Sequence, residues 1–277
     1  MKYGSWILSL FACALFCGCG DDEGDAGPSG SGSSSDTRNN LLYAWDFESG
    51  ANPTHDLGTV SGTFEIVDDP LGDANKVLKC LLPQGEYRTE FVVGTPDIHY
   101  FYCDSGNERT GDEIWAGFRV LKLRQSVTGS NNNVSTFQVG PVQNIITYPG
   151  TTSSGHYQLQ MNLKTDQWRI REYESVYNPD HSTARDLTAI DYAHWESFVI
   201  HCIFRSSSDA LFEIWKNGEK IFSQQRKNGI PHDRTRIQFG LYIGAGNSLD
   251  GDLTCYFDDI RIGGREARFE DVDPDNN

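Results

Sequence analysis

Positive charge is scarce in this 277-residue chain: 23 Lys and Arg stand against 39 Asp and Glu, a formal net charge of −16. That balance argues against nucleic acid as a partner, and it means that any bound polyanion needs a local basic patch. Cysteines at metal-binding spacing are missing as well. Cys80, Cys103, Cys202 and Cys255 form no CxxC pair, which argues against a structural zinc site. In an oxidising compartment these four allow two disulfides; buried free thiols are the alternative. No long stretch keeps helical periodicity. The apolar run Trp6–Phe16 is too short to span a bilayer as a helix.

That run, with Lys2 before it, reads instead as a secretion signal over residues 1–19. Its exit, Leu15-Phe16-Cys17-Gly18-Cys19, resembles the lipobox of bacterial lipoproteins, with Cys19 as the lipidated residue. Leu15 sits one position early and Cys17 competes, so plain secretion is the alternative. The following Gly20-Asp21-Asp22-Glu23 resembles the surface-export signals of some Gram-negative glycan degraders; a soluble acidic tether is the simpler reading. The expectation is an exported protein on the bacterial outer membrane or cell surface, touching the membrane only through its lipid. Residues 20–40 are Gly, Ser and Asp with almost nothing apolar, which is a flexible linker. One folded domain is expected over 41–269, followed by an acidic tail, 270–277, that frays.

Within the domain, short alternating runs rich in Val, Ile, Phe, Tyr and Trp recur from Tyr43–Glu48 to Leu253–Gly263, separated by Gly, Asn, Asp and Pro. With no helical partners between them, they predict an all-β, antiparallel β-sandwich. A short helix or turn is expected at Pro96–Asp104 or Leu187–Ala193. Asn217-Gly218 between two alternating runs predicts a type I′ hairpin, because both turn residues need positive φ. Val77–Leu82 should lie beside Leu253–Gly263, making Cys80 and Cys255 neighbours. The loops Gln125–Val134 and Thr147–Gly155 are long enough to border a groove.

Three runs carry matching apolar and polar faces: Tyr87–Phe91, Thr136–Gly140 and Gln238–Ile243. With side chains alternating, Phe91, Phe137, Val139, Phe239, Leu241 and Ile243 face a core. Arg88, Glu90, Gln138, Gln238 and Tyr242 then share the opposite surface. His156–Leu163 repeats the pattern, with His156, Gln158, Gln160 and Asn162 on its polar face. Next along the chain, Arg169, Arg171 and Tyr173 alternate with Trp168 and Ile170, supplying the positive charge that the whole chain lacks. Planar donors and acceptors with aromatic rings suit a carbohydrate. The plainer reading is a solvated sheet face on which Arg88 and Glu90 are a simple ion pair. Asp46, Glu48 and Asp258, near the two ends of the domain, are candidates for a structural calcium ion; ordinary hydrogen-bonded acids are the alternative.

At this level of pattern the domain resembles the jelly-roll polysaccharide lyases related to heparin lyase I, glucuronan lyase and the small alginate lyases, of concanavalin A-like fold. Arg88-Thr89-Glu90 resembles that group's Arg-x-Glu strand. Gln138-Val139-Gly140 resembles its Gln-x-His strand, with Gly140 where the histidine belongs. Gln238-Phe239-Gly240-Leu241-Tyr242 resembles its Lys-x-Gly-x-Tyr strand, with Gln238 in place of lysine. The resemblance implies β-elimination on an acidic, uronate-containing polysaccharide. It makes Arg88 and Gln138 the holders of the uronate carboxylate and Tyr242 the acid and base. Glu90, His156, Gln158, Gln160, Arg169, Arg171 and Gln238 would line the substrate site. Neutralising the carboxylate stabilises the enolate that forms when the neighbouring carbon loses its proton. A tyrosine, ordinarily near pKa ~10, must be shifted down to act as base, and a nearby arginine does that. With the family histidine absent, His156 or His232 can substitute in space. No cofactor is required, and the protein is expected to be a monomer. The alternatives are a non-catalytic glycan-binding lipoprotein of the same fold and a laminin-G-like adhesion protein. A glycoside hydrolase would need two opposed carboxylates, and no strand presents such a set.

Overall fold

The computed structural model describes residues 40–50, 62–93, 101–102, 112–130, 132–141, 156–173, 182–228, 234–244 and 246–276, all within the unit Asp36–Asn277. The signal, Cys19, the linker up to residue 39, Cys103, His232 and the loop Thr147–Gly155 lie outside the described residues. Alternating runs become strands, and these form two antiparallel sheets.

The first sheet contains β1 (Leu41–Trp45), β2 (Thr63–Asp68), β3 (Lys76–Leu82), β6 (Glu113–Leu121), β11 (Glu196–Ile203), β12 (Leu211–Lys216), β13 (Glu219–Gln225) and β15 (Leu253–Gly263). Its order is β13-β12-β11-β6-β15-β3-β2, with β1 also on β15. The second contains β4 (Arg88–Val92), β5 (Phe101–Tyr102), β7 (Asn133–Pro141), β8 (His156–Asn162), β9 (Gln167–Tyr173), β10 (Ser182–Ala189) and β14 (Arg234–Tyr242). Its order is β10-β9-β8-β7-β14-β4, with β5 also on β14. This is the expected jelly-roll sandwich.

The core lies between the sheets. Phe118 of the first sheet stacks on Phe137 of the second at 5.7 Å and meets Phe239 edge-on at 5.1 Å. Tyr157 stacks on Phe212 at 3.9 Å across the same gap. Phe118 is fully buried, and truncating such a side chain to alanine costs about 3–5 kcal/mol. The hairpin β12–β13 turns at Asn217 and Gly218 with φ of 50° and 77°, as Asn-Gly predicts.

Cys80 and Cys255 are direct cross-strand partners on β3 and β15. They and Cys202 are free thiols. Cys80 Sγ donates to Thr89 O and Cys255 Sγ to Leu121 O.

Two expectations are corrected. At Leu187–Ala193 no helix forms: residues 187–189 end strand β10 and the chain bends at 192–194. At Pro96–Asp104, Phe101–Tyr102 is a short strand on β14, and the other residues lie outside the described ones. The acidic tail does not fray. α1 (Phe269–Val272) and the residues to 276 dock on the first sheet, with Val272 fully buried. Gly117 leaves room for this: a β-carbon there would sit 1.8 Å from Val272 O. Arg119 then holds the tail through Pro274 O and the Asp275 carboxylate, both at 3.1 Å. Arg119, which also pairs with Asp259 at 3.3 Å, and the buried Val272 together explain why an acidic, weakly apolar segment stays bound.

Candidate active site

The outward face of the second sheet carries the polar side chains, and strand register decides which of them meet. Arg88 on β4 pairs with Tyr242 on β14, which pairs with Ser135 on β7; Ser135 pairs with Gln160 on β8, and Gln160 with Arg169 on β9. One row further, Gln238, Gln138, Gln158 and Arg171 follow one another across β14, β7, β8 and β9. Arg236 faces Gly140 in the next row, and His156 lies beyond it on β8.

Glycine at 240 shapes this surface. Its φ is 134°, and a β-carbon there would lie 2.1 Å from Thr89 O and 2.7 Å from Glu90 Cα. Only glycine lets β14 press this closely on β4. Between Phe239 and Tyr242 the β14–β7 register shifts, an extra residue that re-aims Tyr242 toward Ser135. A second shift on β7, between Ser135 and Phe137, brings Ser135 onto the polar face.

The expected site residues converge on Gln138 and Glu90. Gln138 Nε2 donates to Glu90 Oε1. Gln138 Oε1 accepts from Gln158 Nε2 at 2.6 Å and lies 3.1 Å from His156 Nε2. Gln158 Oε1 accepts from Gln160 Nε2 at 2.7 Å and Ser135 Oγ at 3.0 Å. Arg88 Nε is 3.2 Å from Glu90 Oε2, and its guanidinium lies 4.5 Å over the Tyr242 ring. The Glu90 side chain is 1% exposed and that of Arg88 27%, so the acid is sealed beneath an arginine that reaches solvent. Among the described residues, Glu90 Oε2 and Gln160 Oε1 are buried without a hydrogen-bond partner.

Burial sets the electrostatics. It pushes the Glu90 carboxyl up to about 7, with Gln138, Arg88 and Arg236 only partly opposing it. Burial and the guanidinium groups of Arg236, Arg171 and Arg88 hold the His156 imidazole down at about 4, so the ring is neutral at neutral pH. The amide oxygen of Gln138 can only accept, so Nε2 carries the proton in that contact.

Beside Tyr242 lies a cavity of about 160 Å³ lined by Asn133, Ser135, Gln158, Gln160, Arg171, Tyr242 and Asn247, among others. Asn247 arrives on a loop tied to residues 128–130: Thr128 bonds Asp250 and Ser130 bonds Asn247. Arg169 is drawn partly aside by Asp186 at 2.7 Å and Asn133 at 3.1 Å, and Arg171 by Ser182. Gln238 sits in register between Val92 and Gln138 and is buried. Sequence reasoning missed Arg236, Ser135, Asn133 and Asn247. Period two counted back from Gln238 would have found Arg236; the others depend on a bulge or a loop.

The carboxylates proposed for calcium do not gather. Asp46 Oδ1 accepts from Glu48 N, Glu48 Oε1 from Lys76 N, and Asp258 Oδ2 from Asn75 Nδ2 at 2.7 Å. Among the described residues no group of three or more His, Cys, Asp or Glu side chains is placed to hold a metal ion. Asp258 Oδ1 is buried with no hydrogen-bond partner among the described residues.

Residues 42–261 match the family model described as polysaccharide lyase. Among solved structures, the chain is similar to the endo-β-1,4-glucuronan lyase of the fungus Trichoderma reesei: 18% identity, TM-score 0.52, 86% of this chain and 96% of that one. It is similar to the alginate lyase vAL-1 from Chlorella virus at 10% identity and TM-score 0.54, over 81% of this chain and 100% of that one. The binding domain of Paraclostridial Mosquitocidal Protein 1 has 15% identity and TM-score 0.52, over 85% of this chain and 51% of that one. At these identities the likeness is one of fold. No curated protein sequence matches the chain.

Proposed function

This chain belongs to the polysaccharide lyase family, and on that premise we propose that it cleaves a uronate-containing acidic polysaccharide by β-elimination at the cell surface. The observation that carries the reading is the meeting of Arg88, Gln138 and Tyr242 around Glu90 on one polar sheet face. Arg88 takes the uronate carboxylate as an ion pair, and a Gln138 N–H supports it. With that charge neutralised, the adjacent C–H bond is acidified. Tyr242, entering as the phenolate, takes the proton and becomes the phenol, the C–H electron pair becomes the new C=C bond, and the C–O bond to the leaving sugar breaks. The leaving oxygen collects a proton from the same phenol when both groups lie on one side of the ring. His156, neutral and donating its Nε2–H to Gln138, orients that amide.

Anion capture here agrees with the local clustering of Arg88, Arg171 and Arg236 in an otherwise acidic chain. Export and anchoring rest on the signal over residues 1–19. Wild-type protein should partition with membranes, and Cys19→Ala should abolish mature lipoprotein processing; unchanged maturation would instead support plain secretion or use of Cys17. The activity test is a panel of acidic polysaccharides, glucuronan and alginate included, followed by the absorbance of unsaturated uronate. Product with at least one polymer is the expected result. Binding without product from any of them would leave the site as a glycan-binding surface.

A further inference from the structure

Arg88 has two claimants. Its Nε lies 3.2 Å from Glu90 Oε2, and a substrate carboxylate would need the same guanidinium. Glu90 has no room to yield. Its Oε1 is fixed by Gln138, its Oε2 is buried with no hydrogen-bond partner among the described residues, and the Gly240 backbone closes on its Cα. The charged and titratable groups that face it are Arg88 on its own strand, Arg236 on β14 and Cys80 on β3, with His156 on β8 reached through Gln138. Drawing Arg88 toward a second carboxylate strips Glu90 of its nearest positive charge and brings another negative charge close. A buried carboxylate cannot hold its charge under both changes.

We propose that capture of the substrate carboxylate by Arg88 is coupled to uptake of one solvent proton by Glu90. This rests on the reading of Arg88 as the carboxylate holder. The proton goes onto the buried Oε2, while Oε1 keeps the Gln138 bond. Arg88 is then released to the substrate without leaving an uncompensated charge beneath it. Glu90 is thus a positioning residue that acts through Arg88. Burial has already brought its carboxyl to about 7, so the proton is obtained at modest cost near neutral pH. Above that value each pH unit should weaken substrate binding by about tenfold, because only the protonated form hands Arg88 over. The neighbours do not mimic this between pH 7 and 9: the His156 imidazole is held near 4 and the Cys80 thiol well above its usual range.

The test is isothermal titration of the Tyr242→Phe protein, whose slowed turnover should let binding be read by itself. The probes are β-1,4-glucuronate and mannuronate tetrasaccharides, at pH 8 in phosphate and in Tris, whose ionisation enthalpies differ. Net uptake approaching one proton per bound tetrasaccharide is expected, and it should vanish in Glu90→Gln/Tyr242→Phe. In the otherwise wild-type enzyme, Glu90→Gln should flatten the rise of KM above pH 7. Binding without proton uptake, or uptake that survives Glu90→Gln, would overturn the coupling and leave the lyase reading intact. Should the Gln variant fold poorly, infrared difference spectra of the Glu90-intact protein decide: a protonated-carboxyl band must rise with saturation, and its absence overturns the proposal. Failure of both tetrasaccharides to bind would remove the uronate reading itself, and the coupling with it.

Discussion

The His156 imidazole fills the space that a side chain at Gly140 would need: a β-carbon at 140 would lie 2.6 Å from His156 Cδ2 and 2.9 Å from Cγ. The resembling strand carries its histidine at position 140. Here the ring stands one strand over and still reaches Gln138 at 3.1 Å.

That exchange predicts a paired phenotype. Gly140→His alone should displace the native ring and lower turnover by roughly 10²-fold, as should His156→Ala. Combining Gly140→His with His156→Gly clears the clash and should recover part of the loss. Initial rates on the polymer that the panel identifies will decide. Full turnover in His156→Ala would make the ring a spectator.

Tyr242→Phe keeps the ring under Arg88 and removes only the hydroxyl. Turnover should fall by roughly 10²–10⁴-fold with the melting temperature unchanged. Arg88→Ala should raise KM and lower kcat together, because the carboxylate is held in both ground and transition states. A Tyr242→Phe enzyme with full kcat would pass the proton role to His156.

Asp258 predicts a pH-dependent stability. Burial, reinforced by the neighbouring Asp259 charge, raises its carboxyl from 3.8 to about 7. The native state therefore holds this proton more tightly than the unfolded chain does. Stability from this group is greatest below pH 3.8, falls as pH rises through the window to 7, and stays low above it. Asp258→Asn keeps an acceptor for Asn75 and removes the buried charge. It should raise the melting temperature at pH 8, with the gain shrinking toward pH 4. A lower melting temperature, together with a wild type stabilised by calcium, would instead make Asp258 a metal ligand.

The described thiols should be inert while the fold is intact. Burial pushes Cys255 up to about 12 and Cys80 well above the ordinary thiol range. Because thiolate is the reactive form, maleimide at pH 7.5 should label Cys80, Cys202 and Cys255 only after denaturation. Rapid native labelling would show that the core opens locally at β3 and β15.

Much of the fold was legible because a strand's face is a local property. Period two in Gln238–Ile243 and His156–Leu163 assigns core and surface without knowledge of any neighbour, and Leu253–Gly263 spans the residues expected of it. Asn217-Gly218 fixes its turn through the φ values those two residues tolerate. Strand β10 escaped notice because Ser182–Ala189 is an exposed edge with no apolar alternation to betray it.

By itself, then, the sequence determined an all-β sandwich and a polar face carrying Arg88, Glu90, Gln138 and Tyr242, since each follows from short-range alternation. Tertiary structure alone decided how these side chains meet. Register set Arg88 against Tyr242, and two bulges brought Ser135 to the same face. A vacancy at Gly140 admitted His156 from the next strand, and a gap at Gly117 admitted the acidic tail. These are contacts between residues distant in the chain. Their free energies come from packing and desolvation at close approach, which no local pattern encodes.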